Sequence, residues 1–174
     1  MKGIMTILAI GVVASFVCAG DIPVQLKGKT VIVKVTPLNR QITATDKEVN
    51  AQNTALACSF LYYGHLARAD IQAAAALSID PQATANKWTQ YQGRIGLEEF
   101  KKTMGEYFTS KNVILAELAM SDAVMLVVKT PDYTAGQMYV QQGDKWFLAE
   151  NLKTEAGQAF GKVLNMIKDD KIKL

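Results

Sequence analysis

The sequence predicts an α+β fold: helices packed on an antiparallel sheet, with an added β ribbon before them and an amphipathic helix closing the chain. Three observations carry this expectation. Residues 112–151 follow the two-residue period of strands and are punctuated by short turn signals, the pattern of a four-stranded meander. Residues 49–108 instead repeat apolar side chains at helical spacing. Helical spacing then returns over residues 154–168, after the last strand.

Residues 1–19 open with Lys2, continue as an apolar run from Ile4 to Val17 and end in Val17, Cys18 and Ala19. A basic start, a short apolar core and a small-residue end are the marks of a secretory signal peptide, and the run is short for a bilayer span. Phe16 and Val17 stand where a lipid-attachment signal needs small residues before its cysteine, so simple cleavage is expected. The mature protein would then be periplasmic or secreted, with no stable membrane anchor after signal cleavage, and its source a bacterium. About 155 of the 174 residues would remain, enough for one domain with a real core. The formal net charge of +3 falls to +2 without Lys2, and the chain has no dense basic stripe, which argues against nucleic acid as a partner. Cys58 is the one cysteine left, so no internal disulfide is expected. Its neighbours Leu56, Phe60 and Leu61 suit a buried, inert thiol.

Residues 20–44 are read as an N-terminal β ribbon. The stretches 22–26 (IPVQL) and 30–35 (TVIVKV) are strand-like and are separated by Lys27, Gly28 and Lys29 in the manner of a hairpin, with Pro37 ending the ribbon. It either extends the main sheet or reaches a neighbouring subunit. The main domain, residues 45–151, then begins with a capping box in which Thr45 accepts from the amide of Glu48 and Glu48 reaches back. That sets a helix start just before Val49. Val49, Leu56, Phe60, Tyr63 and Ala67 recur along this long helix, which ends near Asp70, an N-cap for a second helix over 71–78. Asp80, Pro81 and Gln82 break that helix. A third, over 97–108 (LEEFKKTMGEYF), gathers Leu97, Phe100, Met104, Tyr107 and Phe108 on one side.

In the meander, residues 112–120 and 123–129 are apolar on both sides and are read as the central pair, joined by a turn at Ser121 and Asp122. Pro131, Asp132 and Gly136 interrupt the pattern before strand 137–142. Gly143 and Asp144 form a two-residue hairpin turn into strand 145–150 (KWFLAE). Residues 152–174 supply the closing helix and a charged tail, with Ala156, Phe160, Val163, Leu164 and Ile167 at helical spacing.

The order of these elements, with FLYYGHLARADIQAAAAL at 60–77, LEEFKKTMGEYF at 97–108 and QQGDKWFLAE at 141–150, resembles the nuclear-transport-factor-2-like superfamily over about residues 49–151. The resemblance implies a cone-shaped domain whose strongly bent sheet wraps the helices and whose open end holds a hydrophobic pocket. It also implies that an exposed sheet face pairs two subunits. That superfamily includes ketosteroid-isomerase-like enzymes, dehydratases, interaction modules and secretion-system components, so an architecture of this kind hosts several functions.

Isomerase or dehydratase chemistry would need a carboxylate or imidazole held against apolar walls so that its pKa moves toward neutrality. His65, the single histidine, falls on the line Leu61, His65, Arg68 at the border of the buried stripe, the place of a flank residue. Tyr63 is read as a core residue whose hydroxyl projects into a pocket. Glu117, on a central strand between Leu115 and Ala119, is costly there unless it is paired or opens on a water-filled cavity; Lys129 is its candidate partner. Other chemistries find no support: one histidine and one mature cysteine are a poor metal supply, no G-x-S-x-G elbow accompanies His65, and the GRIG at 93–96 lacks what a phosphate loop requires. No cofactor is expected. The stretch holding Trp88, Tyr91 and Arg94 has helix-face spacing and is read as packing rather than as a stacking platform.

The leading expectation is a non-catalytic exported protein. It would bind a small apolar ligand in a pocket of Phe60, Tyr63, Leu115, Glu117, Met125 and Trp146, or present a sheet face bearing Tyr139, Gln141 and Phe147 to a second copy as a homodimer. One alternative is an isomerase- or dehydratase-like enzyme with Glu117 as base and Tyr63 or His65 as donor. Another is a component of an envelope secretion complex that uses the ribbon and the closing helix as contacts.

Overall fold

A computed structural model describes residues 20–150 and 153–174 together with the backbone of Val17–Cys18. The rest of the expected leader, its end at Ala19, and Asn151 lie outside the described residues. The chain is α+β. Six strands form one open antiparallel sheet in the order β2 (Asp21–Leu26), β3 (Lys29–Gln41), β4 (Val113–Met120), β5 (Ala123–Lys129), β6 (Thr134–Gln142) and β7 (Lys145–Leu148). A separate parallel pair joins β1 (Val17–Cys18) to β8 (Ile172–Lys173).

The ribbon extends the main sheet. Its turn is tight because Lys27 (φ 46°) and Gly28 (φ 85°) both take the positive φ that a primed two-residue hairpin requires. Pro37 does not end it: β3 runs on to Gln41 and pairs with β4 from Lys34↔Ala119 to Gln41↔Val113, through an irregularity between Pro37 and Arg40. A bulge of this kind tolerates a residue that has no N–H to give to the ladder. The central pair is as expected, β4 and β5 being the middle strands, and β5 is buried on both faces from Ala123 to Val128.

Several helix boundaries differ from the sequence expectation: the long helix starts later, the second ends at Ala75 rather than at residue 78, a helix begins at Pro81, and the one expected over 97–108 ends at Gly105. The capping box is made by Thr43 and Asp46, not Thr45 and Glu48, and it starts a 3₁₀ turn over Ala44–Glu48. Asp46 wins because it is buried and doubly engaged: Oδ2 accepts the Thr43 N–H at 2.8 Å and Oδ1 pairs with Arg40. The chain turns extended at Val49, and the long helix α1 (Ala55–Ala67) starts only after Thr54, whose hydroxyl accepts from the Ala57 N–H at 3.0 Å. Asp70 caps α2 (Ile71–Ala75) by accepting from Ala73, as expected. Asp80 and Pro81 end nothing further on; they start α3 (Pro81–Ile95), Asp80 accepting from Ala83 at 3.0 Å and Pro81 opening the helix where its missing N–H costs nothing. α4 (Leu97–Gly105) stops short of Tyr107 and Phe108, and the Asn112 amide donates to the carbonyls of Glu106 and Tyr107 just beyond it.

The sheet separates two cores. On one face α1 to α4 pack against Ile114, Val124, Leu126, Val128, Tyr139 and Leu148. On the other, α5 (Glu155–Lys168) lays Ala159, Phe160, Val163 and Ile167 over Ile22, Val33, Leu118, Met125 and Met138. At β4 and β5 both sides of the sheet are therefore matched by helices, which is why these strands read as apolar on both faces, whereas β2 buries only alternate residues.

Both outer strands are protected. Val35 N–H donates to Gly20 C=O, which fixes Asp21, Pro23 and Gln25 as the β2 residues whose backbone faces outward. Pro23 offers no donor there, and Lys162 Nζ takes the Gln25 carbonyl at 2.6 Å. At the far side, Trp146 N–H donates to Gln52 C=O at 3.0 Å and Leu148 exchanges bonds with Leu77 and Ile79, so β7 is edged by loops of the helical layer.

Candidate functional site

The residues expected to line one pocket are not brought together. Register shifts between Ile114 and Ala116 of β4, so Leu115 falls with Met125 in the core under α5, whereas Phe60, Tyr63 and Trp146 belong to the core under α1 to α4. A single extra residue resets which face the side chains take, and simple alternation from Asn112 misassigns Leu115. Glu117 stands opposite Leu126 and Thr36, half-buried, and burial raises its pKa from the ordinary value of 4.5. Lys34, not Lys129, supplies the opposing positive charge; Lys129 lies opposite Val113 at the other end of the pair. His65 turns away from this acid: its Nδ1 is 3.5 Å from Asp70 Oδ2 and 3.4 Å from Arg68 Nη2. Neither joins Tyr63, whose hydroxyl accepts from the Gln137 amide at 3.2 Å.

The face proposed for pairing subunits is also divided. Tyr139 is fully buried in the core under α1, and with Gln141 it shares the face of its partners Leu148 and Trp146. Phe147, opposite Val140, points to the α5 side. Much of the other face is already covered by α5.

What the fold does assemble is a polar knot under α1. Gln137 Oε1 accepts from Ser59 at 3.0 Å, Tyr139 at 3.2 Å and Tyr107 at 3.3 Å, while its amide nitrogen donates to Tyr63. Ser59 and Tyr107 hydroxyls lie 2.9 Å apart, and the Tyr63 and Tyr107 rings stack at 3.9 Å and 12°. Burial raises the pKa of Tyr63 and Tyr139, and pushes Tyr107 up to about 12 despite its bonds to Ser59 and Gln137. These phenols stay protonated at neutral pH and act as hydrogen-bonding groups, not bases. Cys58 is fully buried beside them, its thiol pushed up to about 12 by the same cause, which makes it inert as expected.

Beside the knot a cleft of about 370 Å³ opens between α1, α3 and β6. Tyr62, Tyr63, Trp88 and Gln137 form its walls, Gly136 lies at the strand, and Lys87 and Glu150 stand at one side as an ion pair of 2.7 Å. Trp88 is held by its indole N–H, which donates to the Tyr62 hydroxyl, and by Tyr91 and Phe100 edge-on behind it. Its volume falls in the range of small-ligand sites, and rigid aromatics with a few fixed polar groups are the usual lining of one. Trp88 and Tyr91 were legible as a helix face. Gln137 and Glu150 were not, because their partners come from α1 and α3, some 74 and 63 residues away in the chain. Searches against protein-family models, curated proteins and solved structures find no match to this chain.

Proposed function

We propose that the chain is a non-catalytic, exported binding domain that holds its ligand in the cleft between α1, α3 and β6. One observation carries this reading: the cleft's lining consists of groups that bind, rather than groups poised to transfer protons. Its tyrosines are neutral at neutral pH, and its one carboxylate, Glu150, is held by Lys87. Glu117 and His65, the acid and imidazole that an isomerase-like reaction would use, do not line it. The leader-like residues 1–19 supply the export part of the reading.

A ligand suited to these walls has a flat or apolar part for Tyr62 and Trp88 and a polar part for Gln137 or the ion pair. It is thus more polar than the purely apolar ligand that Phe60, Leu115 and Met125 would have suited. Native mass spectrometry of protein purified without denaturation from its own exported compartment tests the reading. An adduct that is lost on unfolding and absent from a folded Trp88→Ala variant is the expected result. An adduct retained equally by that variant, or a bare protein whose Trp88 fluorescence responds to no compound extracted from that compartment, would refute it.

A further inference from the structure

Lys87 sets a positive charge on the aromatic wall of the cleft. Its Nζ stands 5.0 Å from the centre of the Trp88 ring and 2.7 Å from Glu150 Oε1. The π face of an indole and a carboxylate each attract a cation, so a positive charge at this point is stabilised twice. The indole is fixed there, its N–H donating to Tyr62 and its ring flanked edge-on by Tyr91 and Phe100. The lysine is not: its side chain is 52% exposed and has a flexible four-carbon stem, so its head can leave for solvent. Further in, the sign of the field is that of the acid. Burial raises the pKa of the Tyr62 and Tyr63 hydroxyls, and the charge of Glu150 raises it further, so an anion placed among these lining groups faces a carboxylate. Arg40 forms a similar triplet with Phe60 and Asp46, its guanidinium 4.7 Å from the ring centre, but there ring and acid are both buried. The Lys87 triplet instead lines a cleft of about 370 Å³.

We propose that the cleft's ligand is an organic cation with a methylated ammonium head, which takes the place of the Lys87 ammonium between Trp88 and Glu150 while its chain lies along Tyr62 and Tyr63. This rests on the cleft reading above and names its ligand class. A lysine ammonium is compact and strongly hydrated, and it keeps that hydration when it swings out to solvent. A quaternary head carries its charge over methyl groups that pack against an aromatic face, the usual means by which such heads are recognised. Glu150 then counters the charge without a hydrogen bond. In the unliganded protein Lys87 is an internal competitor, and it lowers the fraction of molecules open to a ligand.

The test compares choline with the alcohol in which a tert-butyl group replaces its trimethylammonium head, a molecule of the same shape without the charge. Each is titrated at constant ionic strength into ¹⁵N-labelled exported protein. Choline should move the Trp88 indole signal, with the Trp146 indole as internal reference. The uncharged alcohol should bind about tenfold more weakly, the loss of a cation–π contact in a desolvated site. Lys87→Met removes the competing charge and keeps an unbranched side chain; it should tighten choline about threefold or more, whereas Glu150→Gln should weaken it. Equal binding of the alcohol overturns the proposal, as does weaker binding of choline to folded Lys87→Met. So does a Trp88 indole that stays unmoved in both proteins up to about 10 mM choline, above the millimolar range of weak specific binding. In any of these cases a native adduct that is lost in Trp88→Ala would still uphold the cleft as a binding site, for a ligand of other chemistry.

Discussion

Gln137 gives both ends of its amide to hydroxyl groups, and this fixes the tyrosines that back the cleft. Glu117 has no such set of partners. Its carboxylate is half-buried beside Leu126, and the Lys34 charge offsets only part of the desolvation, so its pKa stands above 4.5. The consequence for stability follows from linkage. A carboxyl whose folded pKa is raised binds its proton more tightly in the native state; its contribution is complete below the unfolded value and is lost as pH rises through the folded one. Glu117→Gln cannot ionise and escapes that loss. Its melting temperature should exceed the wild-type value at about pH 7, with the difference closing as the pH falls below about 4.5, where wild-type Glu117 is also neutral. Thermal unfolding across that range checks it. A variant less stable than wild type at neutral pH would show that Lys34 and Glu117 form a net stabilising pair.

The closing helix was legible as an element, with its span and its apolar stripe, because Ala156, Phe160, Val163 and Ile167 obey one period and Thr154 caps it. What it covers was not legible: period alone says that a stripe is buried, not against what. Helix α3 shows the opposite failure. Asp80 and Pro81 carry the same residue types whether a helix stops or starts, and the choice was settled by Thr84 and Ala85 being buried while Trp88 reaches Tyr62 on α1. The consequence for α5 is quantitative. Phe160 is completely buried between the helix and the strands of the second core, so Phe160→Ala removes a large side chain from a site walled by a sheet. A cost of about 3–5 kcal/mol is expected, measured as a lower urea midpoint with an unchanged slope. A loss under about 1 kcal/mol would mean that α5 is only loosely attached and that the second core does not depend on it.

At the scale of the whole molecule, the α+β class was readable from the change of period between residues 49–108 and 112–151, whereas the place of the ribbon was not. Nothing in IPVQL or TVIVKV names the strand that β3 will pair with; that partner, β4, lies about 80 residues away in the chain. The answer changes what the ribbon is for. A detachable arm could be removed without harm, but β2 and β3 are two of the six strands and provide Ile22, Val24, Leu26, Val33 and Val35 to the core beneath α5. Their loss would uncover Phe160 and Val163 and leave β4 as an unprotected edge, a template for pairing with other chains. Deleting residues 21–39 should therefore abolish the cooperative thermal transition of the entire domain, including the melting of α1 and the cleft, and should yield protein that binds a hydrophobic dye or aggregates. Circular dichroism with Trp88 fluorescence distinguishes the outcomes. A truncated protein that still melts cooperatively, with Trp88 half-buried as before, would show that the helix-side core stands alone and that the ribbon is an appendage available for contacts with another protein.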